Sequence, residues 1–248
     1  MEGPSPLVSV VIPVRGDAGP LGRLLAQLTA TPEVEVIVSA AADAGTGAAT
    51  GPLHAARPDV RWVEGPAGRG TQLNRGAAGA SGAWLWFVHA DSVVPPGWLE
   101  AFRTLDAEAA VAGGSFRFRL DSPAWQARLL ERGVALRVRL FDLPYGDQGI
   151  FARRAVFQSI GGFLPIPLME DVEFIRRLKR HGRLAHLTLG LTTSARRWEA
   201  RGWVRQSAAN LATLGLYGLG VSPDRLARRY DPGTPFERGS SDADQADA

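Results

Sequence analysis

The chain's 248 residues are 45% hydrophobic with 29 glycines and 17 prolines, enough apolar content for one substantial core joined by many turns. Cysteine is absent, which excludes disulfides, thiolate catalysis and zinc–thiolate sites and suits a reducing compartment. The formal net charge of +3 is uneven: segment 237–248 sets Glu237, Asp242, Asp244 and Asp247 against Arg238, a net of −3 that leaves +6 elsewhere.

In chain order, "PLVSVVIPV" (6–14) is a β-branched run bounded by prolines and predicts a strand buried on both faces. "GPLGRLLAQLTA" (19–30) has helical apolar spacing at Leu21, Leu24, Leu25 and Leu28. A second strand follows at "VEVIVSA" (34–40), then a weak Ala/Gly-rich helix (45–58) that Pro52 is expected to interrupt. "VRWVEG" (60–65) is a third strand, "GTQLNRGAAGA" (70–80) a short helix and "AWLWFVHA" (83–90) a fourth strand. This alternation predicts parallel strands with right-handed crossovers, a Rossmann-like α/β half over 1–98.

Beyond Gly97 the rhythm changes. A helix over 97–108 leads into a longer strand over 109–121, where Phe116, Phe118 and Leu120 alternate with Arg117 and Arg119. Helices are predicted at 123–142, 168–183 and 201–220, and strands at 148–154 and 184–193. The expectation is therefore one domain over 1–236, an α/β mostly parallel sheet flanked by helices, with a mixed acceptor half over 99–236. Segment 237–248 is too small-residue and acidic to fold and is expected to be disordered. Residues 1–6 hold Glu2 and two prolines where a secretory leader would be basic and then apolar. The uncharged stretch 206–223 contains Gln206, Asn210, Thr213 and three glycines, too polar for a membrane span, so a soluble protein is expected.

In parallel α/β sheets, ligands bind beyond the carboxyl ends of the strands, where Asp91 follows His89 at the end of the fourth strand. These two residues suit a hard divalent cation, Mg2+ or Mn2+, although Asp91 could equally cap the helix that starts near Gly97. The segments "IPVRGD" (12–17), "GPAGRGTQLNRG" (65–76), "HAD" (89–91), "GDQG" (146–149) and "MEDVEFIRRL" (169–178) occur in one order at sensible spacing. With these motifs the sequence resembles glycosyltransferase family 2, inverting enzymes with the GT-A fold, over residues 8–198.

The resemblance implies a role for each matching position. Asp91 of "HAD" would hold the cation on the diphosphate of a nucleoside-diphosphate sugar donor, with His89 beside it. Pro13 and Asp17, at the end of the first strand, would lie at the nucleoside, and Arg69, Gln72 and Asn74 beside the nucleotide. Asp171 would be the general base toward an acceptor hydroxyl, with Glu170 its neighbour; both acids would also complement the dipole of a helix start. Asp147 and Gln148 would lie near the sugar or acceptor, and Arg196 or Arg197 would bind the diphosphate.

One departure concerns the donor. The family carries an aspartate after the second strand that reads uracil, whereas this chain has Ala40, Ala41 and Ala42, with Asp43 displaced along the loop. The resulting expectation is an inverting, hexosyl-type glycosyltransferase acting on a hydroxyl acceptor, lipid-like or carotenoid-like, at the inner face of the plasma membrane. Its alternatives are a non-catalytic sugar-nucleotide or glycan-binding module and a sugar-phosphate nucleotidyltransferase. The helix at 123–142 and the one after Trp203 are candidates for peripheral membrane contact, the second equally for packing on the sheet. No helix groups enough basic residues with an aromatic platform to bind nucleic acid.

Overall fold

The computed structural model describes residues 5–16 and 18–230; Asp17 and the acidic segment 237–248 lie outside the described residues. The elements run β1 (Val8–Val14), α1 (Ala18–Leu25), β2 (Val34–Ala41), α2 (Ala44–Ala56), β3 (Arg61–Gly65), α3 (Arg69–Ala78) and β4 (Trp84–Phe87). There follow α4 (Trp98–Asp106), β5 (Val111–Leu120), α5 (Trp125–Phe141), a 3-10 turn (Gly146–Gln148), β6 (Phe151–Arg153) and α6 (Arg154–Ser159). The rest is α7 (Glu170–Leu178), β7 (Arg183–Thr193), α8 (Arg196–Arg201), α9 (Trp203–Gly218) and α10 (Pro223–Tyr230).

The strands form one seven-stranded sheet in the order β3-β2-β1-β4-β6-β5-β7. Pairing is parallel from β3 through β4 and again between β5 and β7; β6 alone runs against its neighbours and joins the two parallel blocks. Alternation along the strands feeds two cores. From β1, Val8, Val10, Ile12 and Val14 meet Leu21, Leu24, Leu25 and Leu28 on one face, with Trp84, Trp86, Phe102, Phe116 and Phe151 further along it. Val11, Leu85 and Phe87 point the other way onto Leu73, Phe157, Phe163 and Phe174. A sheet buried on both faces explains why β1 and β4 read as unbroken apolar runs.

Several boundaries differ from expectation, each for a local reason. Pro52 does not interrupt α2, which carries it inside the helix. The helix is secured upstream, where Asp43 caps it by accepting from the Thr46 amide at 2.8 Å. Pro52 and Ala48, four residues before it, are both exposed, so the carbonyl deprived of its donor faces water. The fourth strand ends at Phe87 rather than Ala90; Val88 keeps one bond, to the Val11 carbonyl at 3.0 Å, before the chain turns off the sheet. The last expected helix, 201–220, is α9, which begins only after Gly202 (φ 85°), and α6, α8 and α10 were not anticipated.

Two glycines make opposite predictions. A Cβ on Gly114 would stand 1.8 Å from the Ala185 carbonyl oxygen, so the β5–β7 pairing exists only without a side chain there. Gly133 in α5 has nothing within 4 Å of an added Cβ. Gly114→Ala should destabilise by several kcal/mol, on the order of 3. Gly133→Ala should stabilise by about 0.5–1 kcal/mol through helix propensity. Denaturant melts of the two variants read both signs.

Candidate active site

The carboxyl ends of β1 and β4, the turn before β6 and the start of α7 open onto one cleft with two lobes of about 460 and about 530 Å³. The larger is lined by Pro13, Arg15, Gly68 and Gln72, beside the end of β1. The smaller is lined by Tyr145, Asp147, Asp171, Gln206, Asn210 and Thr213. Arg69, His89, Asp91, Glu170, Arg196, Arg197 and Tyr230 line both. The two acids eighty positions apart in sequence, Asp91 and Asp171, thus face one cavity.

Asp171 is held by backbone. Its Oδ2 accepts from the Gly146 amide at 2.7 Å and its Oδ1 from the Val172 amide at 2.7 Å. Gly146 is wedged against the site: a Cβ there would meet His89 Nε2 at 3.3 Å and Asp171 Oδ2 at 3.4 Å. The approach to α7 passes through Met169, a non-glycine residue with φ 68°. Left-handed backbone at a bulky residue costs on the order of 1 kcal/mol, and here it delivers Glu170 and Asp171 into the cleft.

Glu170 is only 2% exposed, and its Oε1 pairs with Arg69 Nη1 at 3.3 Å. Burial raises its pKa; Arg69 acts against that, and the neighbouring Asp171 charge adds to it. Asp147 is raised to about 6, first by burial, with Arg137 opposing and Asp171 reinforcing. Its Oδ1 is buried with no hydrogen-bond partner. His89 is depressed to about 3 by burial and by the charges of Arg69 and Arg197, so the imidazole is neutral with a free lone pair.

Asp91 does not cap α4: the cap position is Gly97, without a side-chain bond. Among the described residues the Asp91 side chain makes no hydrogen bond or ion pair, and neither do the guanidinium groups of Arg196 and Arg197. Those three charges are available to a ligand.

Three other residues do not reach the cleft. Asn74 donates to the Phe163 carbonyl at 2.7 Å and accepts from the Phe163 amide at 2.8 Å, a two-way clasp between α3 and the loop before α7. Gln148 is buried, accepting from Arg137 at 2.9 Å and the Tyr145 amide at 3.1 Å. Asp43 caps α2 and stands 3.6 Å from Arg15, lining neither lobe. Their side chains bond within the protein, and none of the three lines either lobe. Gln72 has both functions: its amide donates to the Val14 and Ser39 carbonyls at 2.9 Å each, and it lines the larger lobe.

The sequence reading missed the wall made by α9 and α10. Gln206 donates to Asn210 Oδ1 at 2.8 Å and to the Tyr230 hydroxyl at 3.2 Å, and Tyr230 donates to Asn210 at 2.9 Å. The signal was present, since Gln206, Asn210 and Thr213 recur at i, i+4 and i+7 in a largely apolar helix. Trp198 anchors this wall by packing on Phe118, Leu120 and Ala127.

Comparison with known proteins accords with the geometry. The sequence profile described as glycosyltransferase like family 2 matches residues 4–208. The chain belongs to that family. No curated protein matches it. Among solved structures, a mannosyltransferase from Pyrobaculum calidifontis, in complex with GDP-Man and Mn2+, is 16% identical with TM-score 0.62, covering 91% of this chain and 69% of that one. Residues 1–349 of S. aureus TarS are also 16% identical, with TM-score 0.58 and 75% of this chain covered. The match takes in 60% of that TarS fragment, so this chain spans about three fifths of its length. The same fragment in complex with UDP-GlcNAc gives 15% identity and TM-score 0.57 over 75% of this chain and 58% of that one. At these identities the likeness is one of fold: this is a GT-A fold, and the family supports a role in glycosyl transfer.

The buried Asp147 carboxyl makes a pH prediction. Its folded pKa of about 6 lies above the ordinary 3.8, so ionising it opposes folding. That opposition is absent below about pH 4, where both states are protonated, grows as pH rises, and is complete above about 6. Asp147→Asn should therefore raise the melting temperature at about pH 7.5, by the equivalent of about 1–3 kcal/mol, and much less at about pH 4.5. An equal gain at both values would show that the site does not disfavour the charge.

Proposed function

We propose that the protein moves a glycosyl group, with inversion, from a nucleoside-diphosphate sugar to a hydroxyl acceptor. The observation that carries this reading is the common cavity of Asp91 and Asp171, flanked by two arginines without acidic partners among the described residues. The larger lobe, beside the end of β1, takes the nucleotide, and the smaller takes the acceptor. Asp171, oriented by two amides, accepts the acceptor's hydroxyl proton while that oxygen bonds to the anomeric carbon. The bond from that carbon to the diphosphate oxygen breaks in the same displacement, and the diphosphate leaves with the electron pair. Arg196 and Arg197 face the charge that develops there.

A divalent cation fits the donor set. Asp91 is an unpartnered hard oxygen ligand with the neutral His89 ring two residues away. No group of three acidic or histidine side chains among the described residues forms a complete cage, which suits Mg2+ or Mn2+ bound largely through substrate phosphates. Held by Asp91 with His89 beside it, such an ion would neutralise charge on the leaving diphosphate.

The base of the donor meets a different surface from that expected for uracil. At the end of β2, Ala40 and Ala41 are buried and Arg75 donates to the Ala40 carbonyl at 3.1 Å. Among the described residues, the carboxylates lining the nucleotide lobe are Asp91 and Glu170, and Glu170 is paired with Arg69. On the acceptor side, the Gln206–Asn210–Tyr230 wall favours an acceptor whose entering part carries hydroxyls.

The test separates binding from chemistry. Nucleoside diphosphates with Mn2+ are screened by thermal shift, because the true ligand stabilises by mass action. Asp171→Asn should retain that shift and lose turnover by about 10²-fold or more. Asp91→Asn and EDTA should both abolish the shift. Undiminished turnover of a competent donor–acceptor pair by Asp171→Asn would remove the base assignment.

A further inference from the structure

Helix α5 carries an apolar surface that the fold leaves uncovered. Trp125, Leu129, Leu136 and Leu140 are 70%, 59%, 55% and 62% exposed. At 100° per residue these four fall within roughly a 60° arc. Arg132 and Arg139 fall on the adjoining arc, exposed and without an ion pair to any described residue. Ala127, Glu131 and Val138 occupy the opposite side and are buried. The only acid of the helix, Glu131, is fixed inward between Arg119 at 2.6 Å and Arg128 at 2.9 Å. The outward face therefore joins an apolar stripe to a basic one with no acid on it.

We propose that this face of α5 docks the protein onto an anionic lipid surface. Apolar side chains would enter the headgroup boundary, while the arginines extend to lipid phosphates. Charge favours this occupant over a second copy of the chain. Self-pairing through the stripe would bring both copies' Arg132 and Arg139 into one interface with no exposed acid of the helix to answer them. An exposed tryptophan at the head of the stripe suits the interface, since an indole has an apolar body and a polar edge.

The sequence had offered two helices for this contact, and the structure separates them. The outward face of α9 exposes Val204 and Leu211, whereas that of α5 sets Trp125, Leu129, Leu136 and Leu140 in line beside two arginines unpaired among the described residues. Neither helix is a membrane span: no helix among the described residues is long and apolar enough to cross. Docking would also orient the cleft. Arg137 of α5 donates to the Leu143 carbonyl at 3.0 Å and to Gln148 at 2.9 Å, and lies over the Tyr145 ring at 3.5 Å. The helix and the segment bearing Asp147 thus move as one body.

Co-sedimentation tests the surface without depending on catalysis. The full chain is mixed with phosphatidylcholine vesicles and with vesicles that also contain phosphatidylglycerol. Binding is expected to the second only, weakening as salt rises. Leu136→Gln/Leu140→Gln should reduce the partition coefficient about tenfold or more, and Arg132→Glu/Arg139→Glu by a similar factor. All four positions are exposed, so melting temperatures should be unchanged. No binding to the anionic vesicles, or binding that neither pair weakens, overturns the proposal. So does a dimer in light scattering that Leu136→Gln/Leu140→Gln converts to monomer, because a second copy then occupies the face. Loss of vesicle binding leaves the nucleoside diphosphate thermal shift intact, so this proposal and the transfer reading fail separately.

Discussion

A charged carboxylate is costly to enclose in protein without a partner, and for Glu170 that partner comes from the other half of the chain. Glu170 starts α7 and is almost fully enclosed; Arg69 starts α3, 101 residues earlier, and supplies the answering charge. Breaking such a pair strands a buried charge, at a cost on the order of 3 kcal/mol. The seam around it is closely fitted. A Cβ on Gly70 would stand 2.7 Å from the Leu164 carbonyl oxygen, and Asn74 clasps Phe163 one turn further along α3. These contacts fix α7 against α3 and thereby fix where Asp171 points.

From that seam the site acquires its electrostatic order. Arg69 answers Glu170, while Arg196 and Arg197 face both lobes with no acidic partner among the described residues. Enclosure separates the acids by role. Asp147 is pushed toward neutrality by burial, whereas Asp171 has each oxygen bonded to a backbone amide. The same enclosure keeps His89 uncharged beside Asp91, so the cleft does not place a cation where a metal's ligand is needed.

What the sequence made legible followed from burial. β1 and β4 are buried on both faces, so their apolar runs announced them, and the carboxyl-end rule then located Asp91. The amides were not legible in the same way. Asn74 and Gln148 lie in motifs shared with the family, but an amide that clasps backbone looks, in sequence, like one that grips a ligand. The partner of Asn74 is 89 residues away, a distance no local pattern spans. Asp43 has a role that local sequence does show: a carboxylate three residues before Thr46 suits a helix cap, and its Oδ1 accepts from that amide. Helix α10 carries a start signal in Ser222, Pro223 and Asp224, but its eight residues hold few apolar positions to mark a buried face.

The last helices show how one stretch can meet two demands. Beyond Arg205 the sequence of α9 is uncharged and largely apolar, yet Gln206 and Thr213 are among the buried polar residues, and Leu211 and Val204 are exposed. That inverts the usual helix, whose apolar side faces in. The inversion follows from what lies beneath: α9 covers a cleft lined by acids and arginines, not a hydrophobic sheet, and a wall over such a cleft must carry hydrogen-bonding groups. Gln206, Asn210 and Tyr230 satisfy one another across α9 and α10, so the wall stands without a ligand. A hydroxyl-bearing substrate would exchange bonds with that network and would not have to enter an apolar space. The polarity of the smaller lobe is thus set by a helix whose sequence is largely apolar.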